Sequence, residues 1–285
     1  MIVGFVNAGL MALSQAVSMI FGANIGTTVT AQLVSFRIEE LALPAIAAGF
    51  LVRFVCEKKI YRYLGQSIMG FGLLFLGMSI MSEALYPLRD YPAFIEMLAS
   101  FGRIPLLGIL VGALFTILVQ SSSASTGVII ALTLQGLINL PSGLALIMGT
   151  NIGTCITAIL ASIGTNLTAK RAALAHIMFN VIGSLVFILF LRPFTSLVMM
   201  TASEVPRQVA NGHTIFNVGN TLLFVPFLNY FVRFIKWLAP GEEKVYQVGP
   251  QFLDQRMLST PAVALGSALK AVSYTHLTLP TIYSV

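Results

Sequence analysis

The segment GTNIGTCIT, residues 149–157, has a near copy at GANIGTTVT, residues 22–30, and both lie inside long apolar stretches. Gly, Asn and Thr are weak helix formers, and their polar groups are costly to bury among apolar side chains. A chain that repeats such a segment in these surroundings indicates a duplicated architecture in which the two copies have related roles.

The composition is that of an integral membrane protein. Of the 285 residues, 57% are hydrophobic and 9% are charged, and the mean hydropathy is +0.90. Apolar runs of roughly 18–20 residues are long enough to cross a bilayer as helices, and four are present, at residues 64–81, 144–163, 172–191 and 215–232. The sequence predicts an all-α polytopic membrane protein that contacts the lipid bilayer. The net charge of +6 comes from basic residues in loops, which indicates membrane topology and no nucleic-acid partner.

An ungapped shift of 127 residues places Gly9 on Gly136 and residues 24–27 on residues 151–154. Polar residues carry this match, so shared hydrophobicity does not explain it. We place three basic clusters on the cytoplasmic side: Lys58, Lys59 and Arg62; Lys170 and Arg171; Arg233, Lys236 and Lys244. The two copies then have opposite orientations, and the C-terminal end is cytoplasmic. The sequence thus predicts inverted repeats in an inner (plasma) membrane, a frequent architecture of secondary transporters.

Between the two copies lies ILVQSSSASTGVII, residues 117–130. The apolar segment at 106–119 has about 14 residues and is too short to span. The polar run after it predicts a re-entrant hairpin whose turn lies at membrane depth, where irregular backbone is tolerated if it lines a cavity or is buried in protein. The alternative is that Ser and Thr bond back to their own helix or hold neighbouring helices together through hydrogen bonds. A Gln followed by three Ser favours a binding site.

The pairing of QSSSAS, residues 120–125, with two copies of G-[AT]-N-I-G-T resembles the bacterial branch of the type II sodium-dependent phosphate cotransporters, over residues 1 to about 245. The resemblance implies a secondary active transporter, not an enzyme, that carries inorganic phosphate by sodium-coupled symport. The family has two QSSS motifs, and this sequence has the second. The first is expected before Met1, so the chain is expected to be truncated there.

The resemblance also divides the chain. Residues 1–103 are expected to hold the remnant of the first repeat and connecting helices, and residues 104–240 the second repeat with its hairpin. Residues 241–271 are expected to form a cytoplasmic linker, because the segment 252–265 resembles one that leads to a PhoU-like domain, absent here. Residues 272–285 are expected to break the helical pattern as a non-native tail resembling translated adaptor sequence, or else to be a short disordered tail. A homodimer is a further expectation.

Broken helices would explain the repeated motif. A break exposes N–H groups on one side and carbonyls on the other, which favour anions and cations respectively. The breaks are expected at Gly22, Gly26, Gly149 and Gly153. The residues expected to bind phosphate are Gln120, Ser121, Ser122 and Ser123. Sodium or phosphate ligands are expected at Asn24, Thr27, Thr28, Ser125, Thr126, Asn151 and Thr154, with both roles open for each.

The motifs contain no Lys, Arg, Asp or Glu. Burying a phosphate dianion without opposite charge would be costly, so sodium ions travelling with it would supply that charge. Each ligand then raises the affinity for the other. Sodium is expected as the coupling ion, with no transition metal and no cofactor.

A second, shorter repeated motif, His-x-x-Phe-Asn, occurs at residues 176–180 and 213–217. Its His and Asn share a helix face, and interhelical hydrogen bonds are the preferred interpretation over a cavity-lining or proton-sensing role. Three other functions stay open: a sodium-coupled transporter of another solute, a non-transporting phosphate sensor or regulator, and an intramembrane serine protease using His176 or His213. The protease is disfavoured because it leaves the repeated Asn-Ile-Gly-Thr unexplained.

Overall fold

The computed structural model of the protein describes residues 1–36, 39–241 and 260–282, and every regular element in these ranges is a helix. The α-helices are α1 (Ile2–Asn7), α2 (Leu13–Val34), α3 (Ala42–Val55), α4 (Lys59–Leu85), α5 (Pro92–Arg103), α6 (Pro105–Val119), α7 (Ser122–Leu134), α8 (Leu140–Ser162), α9 (Leu167–Leu189), α10 (Leu191–Met199), α11 (Val205–Phe224), α12 (Leu228–Leu238) and α13 (Pro261–Ile282).

Five helical segments are long and apolar enough to cross a membrane: α2, α4, α8, α9 and the continuous stretch Val205–Leu238. They coincide with the four predicted apolar runs, two of which extend one or two residues past the ends of α8 and α9, and they include the first copy of the repeated motif. The all-α polytopic class is therefore confirmed. The stretch Val205–Leu238 tightens to a 3-10 turn at Val225–Phe227, where Pro226 has no N–H to donate to the preceding turn.

The chain divides into two compact units, Met1–Gly241 and Glu242–Val285. The described part of the second unit contains helix α13, which continues through residues 272–282. The expectation that residue 272 breaks the helical pattern is therefore wrong. Between Gly266 and Pro280 no Gly or Pro interrupts the sequence, so nothing there stops the helix from propagating. Most of the predicted linker, residues 242–259, lies outside the described residues.

The duplicated segments share their local structure. The turns before α2 and α8 each hold a glycine with a positive φ, +71° at Gly9 and +69° at Gly136. In both copies the next residue donates its N–H back across the turn at 2.9 Å, from Leu10 to Phe5 and from Leu137 to Leu132. A left-handed residue with this 6→1 bond is a common way to end a helix. The repeat seen in the amino-acid sequence is thus also present in the local backbone structure.

The two copies run in opposite directions. The amide of Asn166, just after α8, donates to the carbonyl of Asn7, just before α2, at 3.0 Å. At the other end of α2, Arg207 in the first turn of α11 donates to Ser35 Oγ at 3.0 Å. The start of α11 also packs on the start of α8, because a Cβ on Gly143 would meet a side chain of α11 at 2.8 Å. Helix α2 therefore begins where α8 ends, as an inverted repeat requires.

Helices α2 and α8 run without interruption through all four glycines at which breaks were expected, Gly22, Gly26, Gly149 and Gly153. The predicted breaks are wrong. In α8 the glycines serve close packing instead: a Cβ at Gly149 would collide with the carbonyl oxygen of Ile109 in α6, and one at Gly153 would lie 2.5 Å from that of Ala113. Contact between two helix backbones offsets the low helix propensity of glycine.

Helices α6 and α7 form the predicted hairpin, with arms of 15 and 13 residues. Helix α6 runs parallel to α8, because Gly108 faces Ala145 and Thr116 faces Gly153. Helix α7 runs antiparallel to α8, since its end packs near Gly143 at the start of α8. The two arms are therefore antiparallel to each other, and residues 120 and 121 form the turn between them.

Candidate functional site

The hairpin turn begins at Gln120, which has φ +56° and is the one non-glycine residue of the described chain with a positive φ. Its N–H donates to the carbonyl of Thr116 at 2.7 Å and closes α6, while its side chain is exposed. A left-handed backbone costs an ordinary residue about 1–2 kcal/mol. Such strained positions are frequent at functional sites.

Ser121 caps the N-terminus of α7. Its Oγ accepts a hydrogen bond from the N–H of Ala124 at 3.2 Å, and its carbonyl accepts one from Ser125 Oγ at 3.0 Å. The N–H groups of Ser122 and Ser123, in the first turn of the helix, have no acceptor within it. This positive end of the helix dipole favours anions. The four residues predicted to bind phosphate thus form one continuous turn of neutral hydrogen-bond donors.

Two predicted ligands lie buried just below this turn. Ser125 is 0% exposed and Thr126 is 2% exposed. Thr126 Oγ1 has no hydrogen-bond partner within the described residues, and neither has Thr116 Oγ1 on the other arm of the hairpin. Both hairpin arms therefore carry a buried hydroxyl that is free to bind a ligand.

The polar residues of the first repeated motif bond to their own helix. Asn24 Nδ2 donates to the carbonyl of Ile20 at 2.9 Å. The same back-bonding occupies the hydroxyl protons of Thr27, Thr28 and, in the second copy, Thr154. Each hydroxyl oxygen keeps lone pairs that a cation could use. In the described chain neither Asn24 nor Asn151 forms a hydrogen bond with the 120–123 turn, so their predicted role as ligands remains a prediction.

Asn151 instead joins two helices. Its Nδ2 donates to Asn217 Oδ1 at 3.2 Å, and its Oδ1 lies 3.2 Å from His213 Nε2. All three side chains are buried. The His-x-x-Phe-Asn sequence of α11 therefore makes interhelical hydrogen bonds, which confirms the preferred interpretation for that copy.

More polar residues lie at the same junction of α8, α9 and α11. Asn180, Ser184 and Asn220 are each at most 1% exposed. Ser184 and Asn220 were not predicted as site residues. The signal that could have found them is periodicity, because polar residues at 180 and 184 and at 213, 217 and 220 fall on single faces of otherwise apolar helices.

A surface cavity of about 380 Å³ lies elsewhere, lined by Phe50, Arg53, Phe54, Cys56, Glu57 and Arg62. None of the predicted ligands lines it, so it is separate from the hairpin turn.

An inverted repeat of apolar helices with a polar hairpin turn between its copies defines a multi-pass membrane protein of the secondary-transporter class. The chain belongs to the Na+/Pi-cotransporter family, whose sequence profile matches residues 1–83 and 91–223. This is a family of transporters and not of enzymes, which removes the serine-protease interpretation.

Named relatives come from bacteria and mammals. "Uncharacterized protein YqeW" of Bacillus subtilis is 30% identical over 210 residues, which are 74% of this chain and 68% of the relative. "Putative inorganic phosphate export protein YjbB" of Salmonella typhimurium is 30% identical over 273 residues, 95% of this chain and 50% of the relative. "Sodium-dependent phosphate transport protein 2B" of Homo sapiens is 34% identical over 148 residues, 49% of this chain and 18% of the relative. The chain thus spans about half the length of the YjbB protein. No solved structure is significantly similar to it.

Proposed function

We propose that the chain carries inorganic phosphate across a bacterial inner membrane together with sodium ions. The observation that carries the proposal is the 120–123 turn, which offers a Gln amide, three Ser side chains and open N–H groups at the start of α7. Membership of the family, and the phosphate named for its relatives, support this choice of substrate.

The chemistry of the turn suits a phosphate that travels with cations. Phosphate oxygens accept hydrogen bonds from hydroxyl, amide and backbone N–H donors, all of which the turn supplies. Residues 104–140 contain no charged side chain. Because a buried dianion without opposite charge is costly, sodium would offset the charge of the phosphate. The phosphate would in turn raise the affinity of neutral oxygens for sodium, since the coupling between the two sites is reciprocal.

The proposed topology places the C-terminal end in the cytoplasm. Arg171, near the start of α9, donates through Nε to the carbonyl of Ala239 at 3.0 Å and through Nη2 to that of Gly241 at 2.9 Å. The basic clusters at the start of α9 and in α12 therefore lie at the same end of the molecule. A common cytoplasmic location for such clusters is what the positive-inside rule predicts.

The direction of net phosphate movement follows from the phosphate and sodium gradients across the membrane. The names of the relatives include both export and sodium-dependent transport.

Transport of another solute and phosphate sensing without transport are the competing functions. The experiment that separates them is uptake of radiolabelled phosphate by proteoliposomes containing the purified protein.

We expect accumulation under an inward sodium gradient, none with choline, and competition by arsenate but not by sulfate. A counterflow assay with phosphate-loaded vesicles tests transport in either direction. Equal uptake in sodium and choline would overturn the coupling. Absence of counterflow would overturn transport, and stronger competition by sulfate than by arsenate would overturn the choice of phosphate.

A further inference from the structure

The junction of α8, α9 and α11 holds three buried oxygens that are not hydrogen-bonded. Asn180 Oδ1, Ser184 Oγ and Asn220 Oδ1 have no partner anywhere in the described parts of the chain. Their side chains are 0%, 1% and 0% exposed. An unpaired buried polar atom is costly, and buried polar groups in native proteins are nearly always paired. Three of them at one helix junction therefore point to a ligand.

The orientation of both amides follows from their partners. Asn180 Nδ2 donates to the carbonyl of His176 at 3.0 Å, and Asn220 Nδ2 donates to the carbonyl of Phe179 at 3.1 Å. A carbonyl can only accept, so the nitrogen of each amide must face it and the oxygen must point elsewhere. Both amides consequently use their nitrogens as donors and keep their oxygens as free acceptors, and the hydroxyl oxygen of Ser184 adds lone pairs of its own. Oxygen acceptors of this kind suit a cation.

The packing of α9 on α11 brings the three residues to one junction. The amide of Asn220 lies directly on Gly183, where a Cβ would overlap its oxygen. Ser184 follows Gly183 in sequence, and Asn180 precedes Gly183 by about one helical turn. Asn180 and Ser184 share a face of α9 at i and i+4. That face borders α8, since Asn180 Nδ2 also contacts Cys155 Sγ at 3.5 Å.

We infer that Asn180, Ser184 and Asn220 bind a sodium ion at this junction, at a site separate from the hairpin turn; the inference rests on the proposed sodium-coupled function. Amide and hydroxyl oxygens are ligands for hard cations. Helices α8, α9 and α11 contain no Asp or Glu, and without fixed negative charge a monovalent ion is favoured over a divalent one. Asn217, bonded to Asn151 of the repeated motif, lies one turn from Asn220 on the same helix face, which links this site to the repeat.

Sodium binding can be measured without phosphate. A ligand that binds the folded state raises the unfolding temperature in a concentration-dependent way. We would titrate the purified protein with sodium chloride against potassium and choline chlorides at constant ionic strength. Two variants remove the ligand oxygen: Ser184→Ala deletes it, and Ser184→Cys keeps the shape of the side chain but replaces oxygen with soft sulfur. We expect each to weaken the apparent sodium affinity about tenfold, the order expected for one lost ligand interaction.

The matched control is Ser82→Ala. Ser82 lies in α4, is 5% exposed and also has a hydroxyl without a partner in the described chain, but it is not part of the junction. Its sodium titration should match that of the original protein. A Ser184→Cys protein with an unchanged sodium titration would overturn the site, because a packing role alone tolerates sulfur. The site is equally overturned if sodium stabilises the original protein no more than choline does.

Phosphate uptake separates this inference from the proposed function. If uptake requires sodium but its half-saturating sodium concentration is the same in Ser184→Cys, the site fails and the proposed function stands. If uptake by the original protein is equal in sodium and choline while sodium still stabilises it through Ser184, the proposed coupling fails and the cation site stands.

Discussion

Asn151 and Asn217 are joined by a 3.2 Å hydrogen bond between α8 and α11, whereas Asn24, at the equivalent position of the first copy, bonds within the described residues only to the carbonyl of Ile20 in its own helix. The Asn of the motif therefore joins two helices in the second copy and bonds within its own helix in the first. The two copies therefore share the glycine turn and the helix that follows it but differ in the contacts of that helix.

This asymmetry predicts unequal costs for one substitution. Asn151→Leu leaves Asn217 Oδ1 and His213 Nε2 without their partner, and we expect a loss of about 1–3 kcal/mol in the free energy of unfolding. Asn24→Leu removes a single bond within a helix and should cost less than about 1 kcal/mol, since back-bonding of this kind stabilises helices little. Chemical denaturation in detergent would measure both. Equal losses at the two positions would contradict the assignment of Asn151 as an interhelical link.

The strained turn gives a second prediction. Gln120→Gly removes the penalty of the left-handed backbone, so the unfolding free energy should be unchanged or rise by up to about 1 kcal/mol. It also removes the side-chain amide, so phosphate binding should weaken. Thermal unfolding and a phosphate-binding isotherm on the same preparation check the two effects. The control is Gln120→Asn, because Asn tolerates a left-handed backbone and keeps a side-chain amide, so this variant should retain more affinity for phosphate than Gln120→Gly. A lower free energy of unfolding in Gln120→Gly would contradict the backbone strain at this position.

The glycines of the two motifs make a matched pair. Gly149→Ala places a methyl group against the carbonyl of Ile109, and overpacking of this kind costs about 1–3 kcal/mol. A Cβ at Gly22 meets no described atom within 4 Å, so Gly22→Ala should be neutral or stabilise α2 by about 0.5–1 kcal/mol through helix propensity. Urea or thermal unfolding would compare them. A Gly149→Ala protein as stable as the original would show that α6 and α8 are not packed as described.

Arg171 supplies a fourth test. The Arg171 side chain is buried, with 5% of the residue exposed. Its guanidinium donates to the carbonyls of Ala239 and Gly241, which lie beyond the end of α12. Arg171→Met should cost about 1.5–3 kcal/mol, the scale for a hydrogen bond to a charged group, and should expose the α12 end to protease. Lys170→Met, at the exposed neighbouring position, is the control and should have little effect. Similar proteolysis rates for the two variants would refute a docking role for Arg171.

Some features could be predicted from the sequence because they depend on local pattern. The hairpin follows from an apolar segment that is too short to span and ends in Gln and Ser. The repeat follows from polar identities that apolar composition cannot produce by chance, and its inversion from the basic clusters. Gly9 and Gly136 align in the same 127-residue shift, and their common left-handed conformation agrees with that alignment.

Other features depend on partners that are distant in the chain. Glycine inside a polar segment is compatible with a broken helix or with a close helix contact, and only the position of Ile109 and Ala113 against α8 decides between them. In the same way, Asn24 and Asn151 have nearly identical neighbours in sequence, and the difference between them arises from α11. The polar helix faces that hold Ser184 and Asn220 can be read from sequence periodicity, but the meeting of these two faces depends on the packing of α9 on α11.

The close contact of α6 with α8 has a mechanical consequence. Gly112 lies against the carbonyl of Leu146, and Gly149 against that of Ile109, with no side chain between the two backbones. Contacts this close resist sliding of one helix on the other, so we expect the hairpin and α8 to move as one unit if the proposed phosphate site is exposed alternately to the two sides of the membrane. The surface along which this unit moves would then lie where polar side chains can exchange hydrogen-bond partners. Such a contact joins α2 to α11, where Gln32 Nε2 donates to Asn211 Oδ1 at 3.1 Å and to Thr214 Oγ1 at 2.9 Å.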